Sequence, residues 1–251
     1  MFRVVIPARY GSSRLPGKVL VGIAGRPMIQ WVYERACAST AQEVIIATDD
    51  LRVIQAAQLF GADATMTAAT HASGTDRIAE VARARAWSDE DIIVNLQGDE
   101  PLMPPALIDQ VAGVLESAPQ AGIATLAAPV ESLAELMDPN AVKVVMDARG
   151  RALYFSRAPI PWNRDGAPSG PASQSVFAGA WRHVGLYAYR VGALLRLAAL
   201  GTGVLEAREK LEQLRALEQG LEIRVSGALQ RPGPDVNAAA DLERVSALLR
   251  R

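Results

Sequence analysis

The chain is short of cysteine and of net charge, and each shortage excludes a class of protein. Cys37 is its single cysteine, so no internal disulfide or cysteine-based zinc site can form, which suits a reducing compartment. The formal net charge of −1 gives no reason to expect nucleic acid or an anionic membrane as a bulk partner. No run approaches the roughly 20 apolar residues of a membrane span, and the first residues show no signal-peptide pattern. We therefore expect a soluble, cytoplasmic protein in which any anion site is local.

Lysine is also rare, since Lys18, Lys143 and Lys210 stand against 23 arginines. This bias suggests that lysine is kept where arginine would not serve, with chance as the alternative for any one of them. Half of the 251 residues are hydrophobic and 21% are charged. This composition is ordinary for a folded protein with a sizeable core.

Short β-branched runs alternate with amphipathic stretches through the first half of the chain. They predict strands at 2–6, 43–48, 63–67, 91–96 and 122–128. Helices are predicted near 28–39, 50–60, 75–86 and 105–117. Because the strands are apolar throughout, we expect an α/β fold with a mostly parallel central sheet and helices on both faces. Ligands of such sheets bind beyond the carboxyl ends of the strands.

The second half has a different pattern, with a predicted hairpin of strands at 142–147 and 151–156. A Pro/Gly/Ser-rich loop is predicted from Pro159 to Ser175. Further strands are expected at 182–190 and 222–226, and helices at 191–200, 205–219 and 239–250. This half therefore predicts a smaller antiparallel lobe within the later part of one α/β unit.

The opening loop PARYGSSRLPGK concentrates positive charge directly after the first predicted strand. Arg9, Arg14 and Lys18 are its cations, and it has no acidic residue. Arginine can grip phosphate oxygens in a bidentate fork, and lysine adds a point charge. Its small residues, which allow close approach or donate hydroxyls, are Gly11, Ser12, Ser13 and Gly17. The loop predicts an anion site, with a solvated surface loop as the alternative; its spacing does not match the P-loop.

The stretches IPARYGSSRLPGK and GRPMIQWVYERA resemble the start of the 3-deoxy-manno-octulosonate (KDO) cytidylyltransferases, or CMP-KDO synthetases. In family order follow HASGTDRIAEV, VNLQGDEPLMP, NAVKVV, ALYFSRAPIPW, RHVGLYAYR and LEQLRALE. The resemblance implies a Rossmann-like nucleotidyltransferase fold, a Mg²⁺ requirement and a homodimer. It implies transfer of CMP from CTP to KDO with release of pyrophosphate, for lipopolysaccharide biosynthesis. It also implies a single domain over 1–251, with a nucleotide-binding half at about 1–130 and a sugar-binding and dimerisation lobe at about 131–225.

On the nucleotide side, the motif QGDEP offers the hard oxygen ligands that Mg²⁺ prefers, although Asp99 could equally cap a helix or close a turn. Ser73 or Thr75 could likewise be a helix N-cap. The resemblance makes Asp99 a Mg²⁺ ligand. It implies a catalytic set of Arg9, Arg14, Lys18 and Asp99. It implies a nucleotide-binding set of Ala8, Gly11, Ser12, Ser73, Gly74, Thr75, Arg77 and Gln97.

On the sugar side, KDO has a carboxylate that calls for arginine or histidine and hydroxyls that call for carboxylate or amide partners. Taken alone, His183 and Tyr187 could serve packing, and Glu212 could be a solvated helix residue. The resemblance implies a sugar pocket of Gln97, Arg157, His183, Tyr187, Glu212 and Gln213.

The C-terminal region departs from the family pattern V-D-T-P-E-D-L, in which the aspartate is the second metal ligand. Asn237 takes that position here, and its side-chain oxygen can coordinate Mg²⁺ without adding charge. Asp235 could substitute only with a different local geometry. We keep Asn237 as the second metal ligand; the change either weakens metal binding or is harmless.

Two other functions stay open from the sequence. One is a cytidylyltransferase for another acidic sugar, such as a sialic acid or an amino-KDO. The other is a non-catalytic CTP-binding module, which the replacement at Asn237 alone supports.

Overall fold

The computed structural model describes residues 1–11 and 15–250, and a mixed β-sheet with helices on both faces is its main feature. The strands of the first half are β1 (Phe2–Pro7), β2 (Gly22–Ile23), β3 (Arg26–Pro27), β4 (Val44–Thr48), β5 (Asp63–Met66), β6 (Ile92–Asn95) and β7 (Ile123–Pro129). Those of the second half are β8 (Lys143–Met146), β9 (Ala152–Ser156), β10 (Trp181–Arg190) and β11 (Ile223–Gly227). The helices are α1 (Met28–Cys37), α2 (Leu51–Leu59), α3 (Gly74–Ala84), α4 (Pro105–Glu116), α5 (Leu133–Met137), α6 (Val191–Ala199), α7 (Val204–Glu209), α8 (Gln213–Glu218) and α9 (Ala239–Leu249).

The described strands of the main sheet join in the order β11-β7-β10-β6-β1-β4-β5, and β8 and β9 extend it from the start of β10. β1 pairs in parallel with β4 and β6, as β4 does with β5 and β7 with β11. β10 alone of this series runs antiparallel to its neighbours, β6 and β7. The predicted mostly parallel sheet with a smaller antiparallel part is confirmed. Because β10 is reversed, its first residues lie at the edge where β6 and β7 end.

The strands are apolar on both faces because helices cover both faces of the sheet. In β1, Val4 and Ile6 belong to one core cluster together with Ile29 of α1. Val5 lies in the opposite cluster with Ile78 of α3. All five side chains are fully buried, and each such burial stabilises the fold by about 1.5–3 kcal/mol. This two-sided core fixes the positions of the loops at the ends of the strands.

The structure differs from the predicted elements at short segments, among them the two-residue strands β2 and β3, which were not predicted. The single helix predicted at 205–219 is wrong, because Lys210 has a left-handed backbone (φ 54°) that separates α7 from α8. Helix α5 was not predicted; it has five residues, too few for a periodic pattern, and begins where Ser132 accepts a hydrogen bond from the Glu135 amide. In the predicted loop at 159–175, a 3₁₀ turn forms at Pro171–Ser173. Within the described residues, no helix has the length and apolar character needed to cross a membrane.

Candidate functional site

The loops after β1 and β6 face the start of α3 across a cavity of about 280 Å³, which we call the loop cavity. Its lining residues are Pro7, Arg9, Lys18, Val19, His71, Ala72, Ser73, Gly74, Arg77, Gln97, Gly98 and Asp99. The structure thus brings most of the predicted nucleotide-side residues together at the carboxyl edge of the sheet, where ligands of such folds bind. The predicted residues Ser12 and Arg14 lie outside the described residues.

Lys18 and Asp99 form the charged centre of the loop cavity. The Nζ atom of Lys18 lies 2.6 Å from Oδ2 of Asp99 and donates a second hydrogen bond to the Val236 carbonyl at 2.8 Å. The Val236 amide in turn donates to the Asp99 carbonyl at 3.0 Å. These contacts bring the segment before α9 against the opening loop, although more than 200 residues separate them in sequence. A ligand that takes either charge must therefore compete with an existing ion pair.

The start of the opening loop is anchored by backbone contacts. The buried Ala8 donates its amide to the Ala47 carbonyl at 2.8 Å, and the Tyr10 amide donates to Asp49 Oδ1 at 3.2 Å. Arg9, between them, is exposed, and so is Gly11. The start of the loop is therefore held by its backbone, while the Arg9 side chain stays accessible at the cavity.

The start of α3 combines helix capping with close approach to the loop cavity. Ser73 accepts a hydrogen bond from the Asp76 amide, and the Asp76 carboxylate accepts one from the Ser73 amide. A Cβ at Gly74 would lie 3.2 Å from Cγ of Pro7, so glycine lets the helix start approach β1 closely. The N-cap alternative for Ser73 is confirmed. It is compatible with ligand binding, because helix N-termini attract anions.

Arg77 lines the loop cavity, but its guanidinium is bonded to other side chains of the protein. Its side chain is buried and pairs with Asp49 at 3.1 Å, and it also donates to the Thr67 hydroxyl. Since Asp49 also accepts the Tyr10 amide, Arg77 braces the opening loop. The arrangement makes Arg77 a support of the cavity wall in this structure.

A second cavity, the inner cavity, lies deeper and holds part of the predicted sugar pocket. Thr75, Asn95, Gln97, Ile123, Tyr187, Tyr189, Leu197, Glu212 and Gln213 line it. Glu212 accepts hydrogen bonds from the hydroxyls of Thr75 at 3.1 Å and Ser73 at 3.3 Å. Burial raises the pKa of the Glu212 carboxyl, and these hydroxyls oppose the shift. Gln97 lines both cavities, so it stands where a group bound in one would meet a group bound in the other.

A third cavity, the hairpin cavity, lies beside the start of β10 and contains His183. Asn140, Val142, Arg182 and Asp235 also line it. The Nε2 atom of His183 lies 3.0 Å from the Thr125 hydroxyl. Burial, aided by the charge of Arg182, lowers the pKa of His183 to about 3. His183 is therefore neutral near pH 7 and would offer a sugar a hydrogen bond rather than a positive charge.

Arg157 lines none of these three cavities. Its Nε donates to the Glu209 carbonyl at 2.7 Å, and its Nη1 donates to the Pro139 carbonyl at 2.8 Å. The structure thus places Arg157 apart from the other predicted sugar-side residues, with its guanidinium on backbone carbonyls.

The predicted metal ligands offer a donor set that suits Mg²⁺. Asp99 provides a carboxylate next to Lys18, and Asn237 provides a side-chain amide whose Nδ2 donates to Asp235. The Asp99 carboxylate and the Asn237 side-chain oxygen are both hard oxygen donors of the kind that Mg²⁺ takes together with substrate phosphates. Glu100 adds a further carboxyl; its pKa is raised to about 8 by burial and by the charges of Asp99 and Asp235. The described residues contain no group of three or more His, Cys, Asp and Glu arranged to hold a metal by themselves.

Sequence reasoning missed several residues of the site. Asp49 follows β4 directly, at the strand end where ligand loops gather, and this position was its available signal. His71 lines the loop cavity and pairs with Glu80; both stand in the stretch HASGTDRIAEV, but no role was predicted for either. The sequence could not indicate that the Val236 carbonyl accepts a hydrogen bond from Lys18, because every residue has a backbone carbonyl.

The chain is similar in sequence to known cytidylyltransferases. The family model described as cytidylyltransferase matches residues 3–223. The chain is 54% identical to a 3-deoxy-manno-octulosonate cytidylyltransferase of Thioalkalivibrio sulfidiphilus over 99% of each chain. It is 52% identical to one of Pseudomonas syringae pv. syringae, covering 99% of this chain and 98% of the relative.

Two solved structures of cytidylyl-transferring enzymes have a similar fold. A CMP:2-keto-3-deoxy-manno-octonic acid synthetase complexed with CTP superposes with a TM-score of 0.89 at 44% identity, covering 100% of this chain and 99% of the other. A 4-diphosphocytidyl-2C-methyl-D-erythritol synthase shares the fold, with a TM-score of 0.63 at 14% identity over 98% of each chain.

The full-length relatives make the chain a nucleotidyltransferase, and the fold and the cavity at its strand ends agree with that class. The chain belongs to the cytidylyltransferase family, and its full-length relatives above are 3-deoxy-manno-octulosonate cytidylyltransferases.

Proposed function

We propose that the protein transfers CMP from CTP to KDO, giving CMP-KDO and pyrophosphate. The observation that carries this function is the position of Gln97, which borders both the cationic loop cavity and the inner cavity. A triphosphate beside Arg9 and Lys18 and a sugar beside Glu212 would therefore meet at one residue. The names of the full-length relatives support KDO as the acceptor, and the related synthetase structure complexed with CTP supports CTP as the donor.

In the proposed reaction, the anomeric hydroxyl of KDO attacks the α-phosphorus of CTP in line. The bond from this phosphorus to the oxygen of the pyrophosphate breaks, and the proton of the attacking hydroxyl passes to solvent. Arg9 and Lys18 offset the charge on the triphosphate and on the leaving pyrophosphate, since phosphoryl transfer depends mainly on positioning and charge neutralisation. Glu212 and Gln213 hold sugar hydroxyls, and His183 adds a neutral hydrogen bond.

The proposal includes Mg²⁺ bound by Asp99 and Asn237 together with phosphate oxygens. Bound there, the ion would neutralise phosphate charge and lower the pKa of the sugar hydroxyl. Within the protein, Lys18 would then exchange its contact with Asp99 for one with phosphate.

We further propose a cytoplasmic homodimer that supplies activated KDO for lipopolysaccharide biosynthesis. The family resemblance of the second half supports this, and light scattering on the purified protein tests the dimer. A monomer at micromolar concentration would contradict it.

The test of the reaction is pyrophosphate release with CTP, Mg²⁺ and KDO, run beside matched mixtures containing a sialic acid or amino-KDO. Release with KDO alone is expected. Release with only one of the other sugars would keep the transfer and overturn the substrate. Protein that binds CTP by calorimetry but releases nothing would instead be a CTP-binding module.

A further inference from the structure

Two cations of the second half, Lys143 and Arg157, join three chain segments through backbone carbonyls. Lys143 is fully buried, and its Nζ donates to the carbonyls of Asp138 at 2.7 Å and Arg157 at 2.8 Å. Arg157 donates to the carbonyls of Pro139 and Glu209, at 2.8 and 2.7 Å. Burying a lysine is costly unless hydrogen bonds replace its hydration, and these carbonyls do so. We call this pair the carbonyl clamp.

The carboxylate of Glu209 also bonds to the segment that carries Arg157. It accepts hydrogen bonds from the Ser156 hydroxyl at 2.6 Å and the Arg157 amide at 2.9 Å. Glu209 is the last residue of α7, where helix carbonyls lack partners within the helix. A guanidinium on its carbonyl satisfies one of them and complements the helix dipole. The chain then reverses at the left-handed Lys210 and leads directly into Glu212.

Two of the three segments that the clamp joins lead into the walls of cavities. Asn140 and Val142 follow Pro139 and line the hairpin cavity. Glu212 and Gln213 follow Glu209 and line the inner cavity. A fixed connection between these segments sets the spacing of the polar groups that face the sugar.

We propose that Lys143 and Arg157 are positioning residues for the sugar, with Arg157 acting through Glu209 and not by touching the sugar itself. For the identity of the sugar this rests on the proposed function. It also accounts for a lysine kept at position 143: its compact ammonium reaches two carbonyls in a fully buried place.

The first experiment compares KM and kcat in Lys143→Met, Arg157→Gln and, as a control, Arg208→Gln on the exposed face of α7. The clamp variants should raise KM for KDO about tenfold while kcat and KM for CTP change less than about twofold, since only uniform sugar binding is lost. The control should behave as wild type. A wild-type KM for KDO in Lys143→Met, with a raised one in Arg157→Gln, would overturn the clamp in favour of direct sugar contact.

The second experiment is a double-mutant cycle between Arg157→Gln and Glu209→Ala. If both act on one junction, the combined effect on KM for KDO should be clearly smaller than the product of the single effects. Independent effects, or no effect of Glu209→Ala, would overturn the proposal.

Hydrogen exchange gives a measurement that does not depend on turnover. Amides at 210–215 should exchange at least about tenfold faster in Lys143→Met than in wild type, because the Arg157 carbonyl loses its donor and Arg157 in turn holds Glu209 at the end of α7. Unchanged exchange would overturn the clamp. If wild type shows this protection but releases no pyrophosphate with KDO, the proposed function fails and the clamp stands.

Discussion

In the loop cavity the charged groups meet each other, whereas in the inner cavity a carboxylate meets hydroxyls. Lys18 lies 2.6 Å from Asp99, so each charge is balanced before any ligand binds. Glu212 accepts hydrogen bonds from the hydroxyls of Ser73 and Thr75 and has its nearest cation, Arg215, farther away at 4.0 Å, and burial raises the pKa of its carboxyl. The first arrangement suits a ligand that brings its own charge and can exchange partners, such as a triphosphate. The second suits the hydroxyl groups of a sugar, which can join the existing hydrogen bonds.

The largest difference between the two cavities is expected when the positive charge of Lys18 is removed. Lys18→Ala should lower the rate of pyrophosphate release about 10²-fold or more, because a preorganised charge beside the triphosphate is lost. The measurement is kcat with saturating CTP and KDO. Arg83→Ala, an exposed arginine of α3, is the matched control and should leave kcat unchanged. Near-normal turnover in Lys18→Ala would remove its catalytic role.

The sugar side can be tested through the stability of the protein at acidic pH. His183 binds a proton near pH 6.5 in the unfolded chain but, in the folded protein, only near its pKa of about 3. Stability should therefore fall as pH drops below 6.5, by about 2 kcal/mol from this residue at pH 5. Denaturant unfolding of wild type and His183→Gln between pH 7.5 and 5 measures it. Equal slopes in the two proteins would show that His183 is not held neutral by burial.

A metal titration tests the acidic half of the ion pair. Asp99→Asn should raise the Mg²⁺ concentration for half-maximal rate by about tenfold or more, because a charged oxygen ligand becomes neutral. Initial rates against Mg²⁺ concentration are measured. Glu243→Gln, exposed on α9, serves as the control. An unchanged titration in Asp99→Asn would argue against metal binding there.

The smallest effect is expected at the position that departs from the family. Asn237→Asp should lower the half-maximal Mg²⁺ concentration about threefold, because it adds charge to the donor set. It should also lower the melting temperature in EDTA by about 2–4 °C, since the Asn237 amide that now donates to Asp235 would become a like charge. Mg²⁺ should restore part of that loss. A variant indistinguishable from wild type in both measurements would show that residue 237 does not contact the metal.

Much of the fold could be predicted because its signals are local. The apolar runs of β1, β4, β6 and β7 and the periodic helices between them lie within a few residues of their predicted bounds. The failures concern short segments, which are too brief for a periodic pattern or are ended by the backbone of a single residue. Helices α7 and α8 were predicted as one because the left-handed turn at Lys210 interrupts an otherwise helical pattern.

The candidate site was predicted unevenly. Motifs indicated Lys18, Asp99 and Gln97, which the structure brings around one cavity. They could not show that the Arg157 side chain would donate its hydrogen bonds to backbone carbonyls. Side-chain partners of this kind depend on which carbonyls the fold leaves without hydrogen bonds, and no sequence pattern records that.

By itself, the sequence determined the class of the fold and the chemistry of the opening loop. Apolar periodicity dictates strands and helices, and clustered cations dictate attraction for an anion wherever the loop lies. Only the tertiary structure decided that β10 would insert in reverse and bring His183 to the ligand edge. The fold likewise joined Lys18 to the Val236 carbonyl and enclosed Lys143 among carbonyls. The physical reason is that burial and hydrogen-bond partners are properties of neighbours in space, and neighbours in space are chosen when the whole core packs.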